Sequence, residues 1–167
     1  MKKKYIWVAC TACLVLVVIV ISAHGYLRHI GAMQLWPSWP SFTGGTSELN
    51  LPEGEKVYLK ALLSGPKKGN TVIEAVELDG YDSMELLDMW LYRGQVDKIP
   101  QTGELSDDIQ EKLIPATGAR VSANVEGEAD YLVYSFVVTG KHIKGPLAQK
   151  ITYRSFGLRF DVGFDSR

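Results

Sequence analysis

The hydrophobic pattern divides the chain in two. Residues 6–23, IWVACTACLVLVVIVISA, carry no charge, and at 1.5 Å per residue they make a helix of about 27 Å against a hydrocarbon core of about 30 Å. The pattern predicts a single transmembrane helix. A cleavable leader has a shorter apolar region, about 7 to 15 residues, ending at a small-x-small site. Ile21-Ser22-Ala23 fits that site poorly, so the segment reads as a retained signal-anchor rather than one cut after Ala23. Tyr26, Leu27 and Ile30 then continue helical spacing along the outer interface. In WPSWPS, residues 36–41, two prolines three apart favour an extended course, and TGGTS after it adds flexibility. Residues 24–48 therefore read as a juxtamembrane stalk.

From residue 49 onward the pattern is that of strands separated by turns. EKVYLKALL (55–63) places Val57, Leu59, Ala61 and Leu63 on one face, and TVIEAVELD (71–79) is β-branched before GYDS turns the chain. RVSANVE (120–126) alternates with Val121, Ala123 and Val125 inward, and EGEA joins it as a hairpin to DYLVYSFVVT (130–139), which is apolar on both faces, as a central strand is. KITYRSF (150–156) and GLRFDVGF (157–164) close the chain, the latter alternating Leu158, Phe160, Val162 and Phe164 against polar or small residues. MELLDMWLYRG (84–94) suits a helix capped by Asp82 or a strand around a core Trp90. Its neighbours favour the strand. LSDDIQEKLIP (105–115) reads as a short surface helix capped by Ser106 and ended by Pro115. About seven strands, one short helix and no phosphate loop predict an all-β domain over 49–167, an immunoglobulin-like two-sheet sandwich. The Cys and Trp signature of true immunoglobulin domains is absent from the sequence.

Charge orients the span. Lys2, Lys3 and Lys4 sit in the tail 1–5 directly before it, which holds the N-terminus in the cytoplasm and sends the C-terminal domain out. All 19 acidic residues lie from Glu48 onward, so the outer domain is mildly acidic although the whole chain carries only −1. That balance excludes nucleic acid as a partner, since nucleic-acid binding requires a basic face. Within the domain the signs separate again. From Gly140 on, Lys141, Lys144, Lys150, Arg154, Arg159 and Arg167 outnumber Asp161 and Asp165. These bases either neutralise the acidic half across neighbouring strands, the favoured reading, or meet an anionic polymer.

Candidate chemistry is sparse. Cys10 and Cys13 lie at the start of the apolar run, where a lipid-attachment cysteine does not, and they have neither a redox fold context nor the four ligands of a structural zinc site. His142 is the one histidine beyond the stalk, set between Lys141 and Lys144, which disfavour an imidazolium. Glu77-x-Asp79-Gly80-x-Asp82 misses the calcium-loop register, leaving Ala75 and Leu86 at the first and last ligand positions. No catalytic residue, metal ligand or cofactor site is expected. The sequence thus predicts a bacterial plasma-membrane protein whose extracytoplasmic domain binds an envelope protein or anionic envelope polymer, with Trp36, Trp39, Lys141, His142 and Lys144 as contact residues. The alternatives are a small hydrolase using the acidic residues of 74–88, among them Asp82 and Glu85, and a cation-sensing domain.

Overall fold

A computed structural model describes residues 2–41, 51–67, 70–122 and 128–166. The N-terminal run is one helix, α1 (Lys2–Ala32), and its stretch Cys10–Ala32 is long and apolar enough to cross a membrane, exposed along its length until the half-buried Ile30 and the buried Gly31. The described remainder is mostly strand: β1 (Trp36–Pro37), β2 (Lys56–Ser64), β3 (Val72–Asp79), β4 (Met84–Gly94), β5 (Leu113–Pro115), β6 (Ala129–Val138), β7 (Ala148–Ser155) and β8 (Leu158–Asp165). They form two antiparallel sheets, one in the order β1-β2-β6-β4-β5 and the other β3-β7-β8.

The two sheets face each other across one core. Val57, Leu59, Ala61 and Leu63 of β2 and Leu132, Tyr134, Phe136 and Val138 of β6 meet Ile73 and Val76 of β3 and Ile151 and Tyr153 of β7. Tyr134 accepts a hydrogen bond from the Gln149 amide across that core. As its two-sided apolar pattern predicts, β6 is the central strand of the larger sheet, paired on both edges. The β7–β8 hairpin turns on Phe156 and Gly157, both at positive φ (51° and 76°), the mirror-image turn whose twist matches paired strands.

The segment 84–94 is a strand throughout, and its poor alternation has a cause. A β-bulge between Leu86 and Asp88 shifts the register. Met84 and Leu86 face the inter-sheet core before it, and Met89 and Leu91 do so after it, while Asp88, Trp90 and Tyr92 turn to the opposite face. Trp90 is accordingly half-buried on the outer face and not in the main core.

Three expectations are corrected. Residues 33–41 are not a free stalk: Leu35, Pro37 and Pro40 are buried, Trp36–Pro37 pairs with Leu63 and Ser64, and Ser41 exchanges backbone hydrogen bonds with Lys60. The prolines do hold an extended course, but that course follows the β2 edge, whose donors and acceptors it satisfies. Residues 42–48, including the Gly-rich part, lie outside the described residues. The helix expected over 105–115 is confined to α2 (Asp107–Gln110); Ser106 Oγ bonds the Asp108 carboxylate rather than a backbone N–H, and Leu113–Pro115 instead pairs with β4. The strand expected over 120–126 is reduced in the described part to an isolated bridge between Arg120 and Val72; residues 123–127, with the first half of the expected EGEA turn, lie outside the description.

The helix meets the domain without a spacer. Tyr153 Oη donates to the carbonyls of Gly31 (2.9 Å) and Ala32 (3.1 Å), two of the acceptors that a helix leaves open at its C-terminal end. A Cβ on Gly31 would lie 2.2 Å from the Phe160 ring, so a larger residue there would force the ring or the helix to shift. Next to this joint, Lys67 N donates to the Gln34 carbonyl, and the buried Lys67 ammonium lies 3.7 Å from Asp130, which also accepts from Arg93 Nε (2.8 Å) and Ser122 N (2.9 Å).

Candidate binding crevice

The outer face of the larger sheet carries a second layer. The connection from β4 to β5 runs across it as a 3₁₀ turn (Val96–Lys98), a backbone bridge to the β2 edge (Tyr58 N to Gln101 O, Gly103 N to Lys56 O) and α2. Ile99, Leu105 and Ile109 from this strap pack on Tyr58, Tyr92 and Val133, forming a small apolar core of their own. The buried Lys60 amine pins the strap by donating to the Ile99 carbonyl, and its burial holds its pKa below the ordinary lysine value.

Part of that face stays open as a crevice of about 350 Å³. Its floor is set by strand register: Tyr58 on β2 is opposite Ser135 on β6, and Ser135 is opposite Asp88 on β4, with Trp90 one outward position further along β4. Glu104, Leu105 and Gln110 from the strap and Leu113 at the start of β5 wall it, and Leu87, thrown outward by the bulge, stands at its rim.

Tyr58 and Ser135 are each 3% exposed, yet neither hydroxyl has a hydrogen-bond partner among the described residues. Both are among the groups that line the opening. Among the described residues the one fully buried side-chain polar atom without a partner is Gln149 Oε1, so the Tyr58 and Ser135 hydroxyls reach the solvent of the opening, where water or a ligand can satisfy them. Burial raises the Tyr58 pKa, so its phenol remains a protonated donor. At the mouth Lys56 and Glu104 form an ion pair (2.9 Å), which raises the lysine pKa chiefly through that hydrogen bond. Gln110 spends its amide N–H on the Leu105 carbonyl (2.8 Å), leaving its amide oxygen as an acceptor. Asp88 has no ion-pair partner among the described residues.

A larger depression, about 420 Å³, lies over Gly163 on the smaller sheet, among Glu77, Asp79, Lys150, Asp161 and Asp165. Two of its groups engage each other: Lys150 stands 3.6 Å from Asp161, which also accepts from Thr152 Oγ1 (2.7 Å), a bond that holds the Asp161 pKa below the usual carboxylate range. The crevice, with its unpartnered hydroxyls, is the stronger candidate site.

The residues singled out from sequence are dispersed. Trp36 is 58% exposed on β1, and Trp39 stacks obliquely on Phe164 with ring centres 5.7 Å apart. Lys141, His142 and Lys144 lie exposed in the loop from β6 to β7, where Lys144 exchanges backbone hydrogen bonds with Asp82. Of the C-terminal bases, Arg154 (2.7 Å) and Arg159 (3.6 Å) share the Glu74 carboxylate, the internal neutralisation favoured from sequence. The acidic stretch 74–88 divides between layers, with Glu74, Glu77 and Asp79 on the smaller sheet and Glu85 and Asp88 on the larger. Among the described residues no group of three or more His, Cys, Asp or Glu side chains is placed to hold a metal ion.

Sequence reasoning missed Tyr58, Ser135 and Gln110 as site residues. Ser135 had a signal: it is the one polar aliphatic residue in the run from Tyr131 to Val138, the otherwise apolar and aromatic part of the central strand. Comparison of the chain with protein-family models, with curated proteins and with solved structures finds no match.

Proposed function

We propose that this chain is a single-pass membrane protein of the cell envelope, its N-terminus cytoplasmic and its sandwich extracytoplasmic, and that the sandwich is a binding module rather than an enzyme. The observation that carries the reading is the crevice, a pre-formed concave site with an apolar wall and a few convergent polar groups. The long apolar helix and the three lysines ahead of it support the anchor and its orientation. The strand orders support an immunoglobulin-like arrangement: β1-β2-β6-β4 facing β3-β7-β8 follows the A-B-E-D and C-F-G sheets of constant-type domains, with β5 and the strap inserted between the fourth and fifth strands. Such an insertion, on a rigid scaffold, is a usual place for recognition.

Topology is tested on intact cells. Both native cysteines lie in the apolar helix, so Thr117→Cys introduces the one thiol of the outer domain. A membrane-impermeant maleimide should label it without lysis, and the mature protein should retain its first residues. Labelling only after lysis, or a new N-terminus at His24, would refute the reading.

A further inference from the structure

We propose that the crevice binds a neutral saccharide unit, free or as part of a glycan chain; this inference rests on the binding-module reading and names its ligand class. Three features of the lining lead to that class. The polar groups are mixed: the Tyr58 and Ser135 hydroxyls each donate and accept, the Gln110 oxygen and the Asp88 carboxylate accept, and Lys56 donates. A ligand satisfying such a set must itself carry several groups that both donate and accept, as the hydroxyls of a sugar do. A ligand with acceptors only would leave Asp88 facing a lone pair.

Charge narrows it further. Lys56 and Glu104 neutralise each other at the mouth (2.9 Å), which leaves Asp88 as the unbalanced charge of the lining. Phosphate and carboxylate ligands would meet that carboxylate and are disfavoured. Finally, the half-buried Trp90 indole together with Leu105 and Leu113 supplies apolar surface beside the polar row. A pyranose ring matches the combination, with its C–H face toward the aromatic and aliphatic side and its hydroxyls toward the Tyr58–Ser135–Asp88 row. The register fixes this row across three hydrogen-bonded strands, so the groups are held in place before the ligand arrives, which lowers the ordering cost of binding.

The test uses the full chain in a polyoxyethylene-ether micelle, which carries neither a sugar nor a choline headgroup. An array of neutral, anionic and amino saccharides is screened, and the best ligand is titrated by saturation-transfer NMR against wild type, Ser135→Ala, Tyr58→Phe and Asp88→Asn. The expected result is binding of a neutral saccharide, weakened about tenfold by Ser135→Ala or Tyr58→Phe, each of which deletes one hydroxyl and keeps the packing. Competition by the free monosaccharide supports a single-unit site, and binding of oligosaccharides alone supports a glycan chain; both fit the proposal. No saccharide bound by wild type, or equal binding by a Ser135→Ala protein with an unchanged circular dichroism spectrum, overturns it. Binding only of a cationic amine such as choline, lost in Asp88→Asn, also overturns it. In either failure, protection of a Leu87→Cys thiol at the crevice rim by soluble envelope extract separates the two claims: protection leaves the binding-module reading standing with a different ligand, and its absence removes both.

Discussion

Asp130 shows how much one side chain can carry in this fold. Its carboxylate is buried and receives Arg93, the Ser122 amide and, at 3.7 Å, the buried Lys67 ammonium, whose pKa burial lowers and Asp130 partly restores. Removing one partner of a buried ion pair costs about 3 to 5 kcal/mol, because the remaining charge stays desolvated. Asp130→Ala in the full chain should therefore lower the unfolding free energy by about 3 kcal/mol in a urea titration, and adding Lys67→Met should recover part of the loss. Equal stability of wild type and Asp130→Ala would refute this account of the cluster. Residues of this kind are not legible in sequence. Asp130 opens a strand correctly located from its apolar run, but nothing in the string places Lys67 beside it. Ser135 is a similar case: its polarity is visible, whereas its alignment with Tyr58 and Asp88 exists only once three strands are in register.

Elements were legible wherever alternation was clean. β8 alternates regularly and β2 carries an apolar residue at each inward position from Val57 to Leu63, while β6 was found from its two-sided apolar run. The Leu86–Asp88 bulge reverses the phase within β4, so no single period describes that strand. The strap hides differently, since its apolar residues, Ile99, Leu105 and Ile109, serve a satellite core that the alternation of the main sheets does not announce. The joint between α1 and the smaller sheet was missed because its contacts are made by Gly31 with Tyr153 of β7 and Phe160 of β8, residues far apart in the chain whose roles depend on the docked geometry. The joint has a pH signature. Burial pushes the Tyr153 phenol up to about 12 from an ordinary value of 10, so the folded state favours its protonated form. The corresponding stability is fully present below about pH 10 and is lost as pH rises toward 12. Thermal unfolding of the full chain in micelles should decline over that window, and the decline should be shallower in Tyr153→Phe, which has no phenol to titrate. An identical decline in the variant would contradict the assignment.

At the scale of the molecule, one apolar helix and a two-sheet domain are joined through buried contacts at Gln34, Leu35 and Tyr153. The strap adds a third layer to the larger sheet, and the crevice lies where that layer is incomplete. On our proposal recognition falls on the face bearing Trp90, away from Trp36 of β1 and from Trp39, which the sequence offered as contact residues. Trp7, Trp36, Trp39 and Trp90 are the only tryptophans, so their indole N–H signals report separately on the span, the β1 edge and the crevice. The most direct test records those four signals in the full chain in micelles during titration with a mixture of small probes, glucose, phenol and isopropanol, assigning each by Trp→Phe substitution. The Trp90 signal should move in a saturable manner while those of Trp36 and Trp39 stay in place; saturable movement of Trp36 or Trp39 with Trp90 unmoved would contradict the crevice as the recognition site.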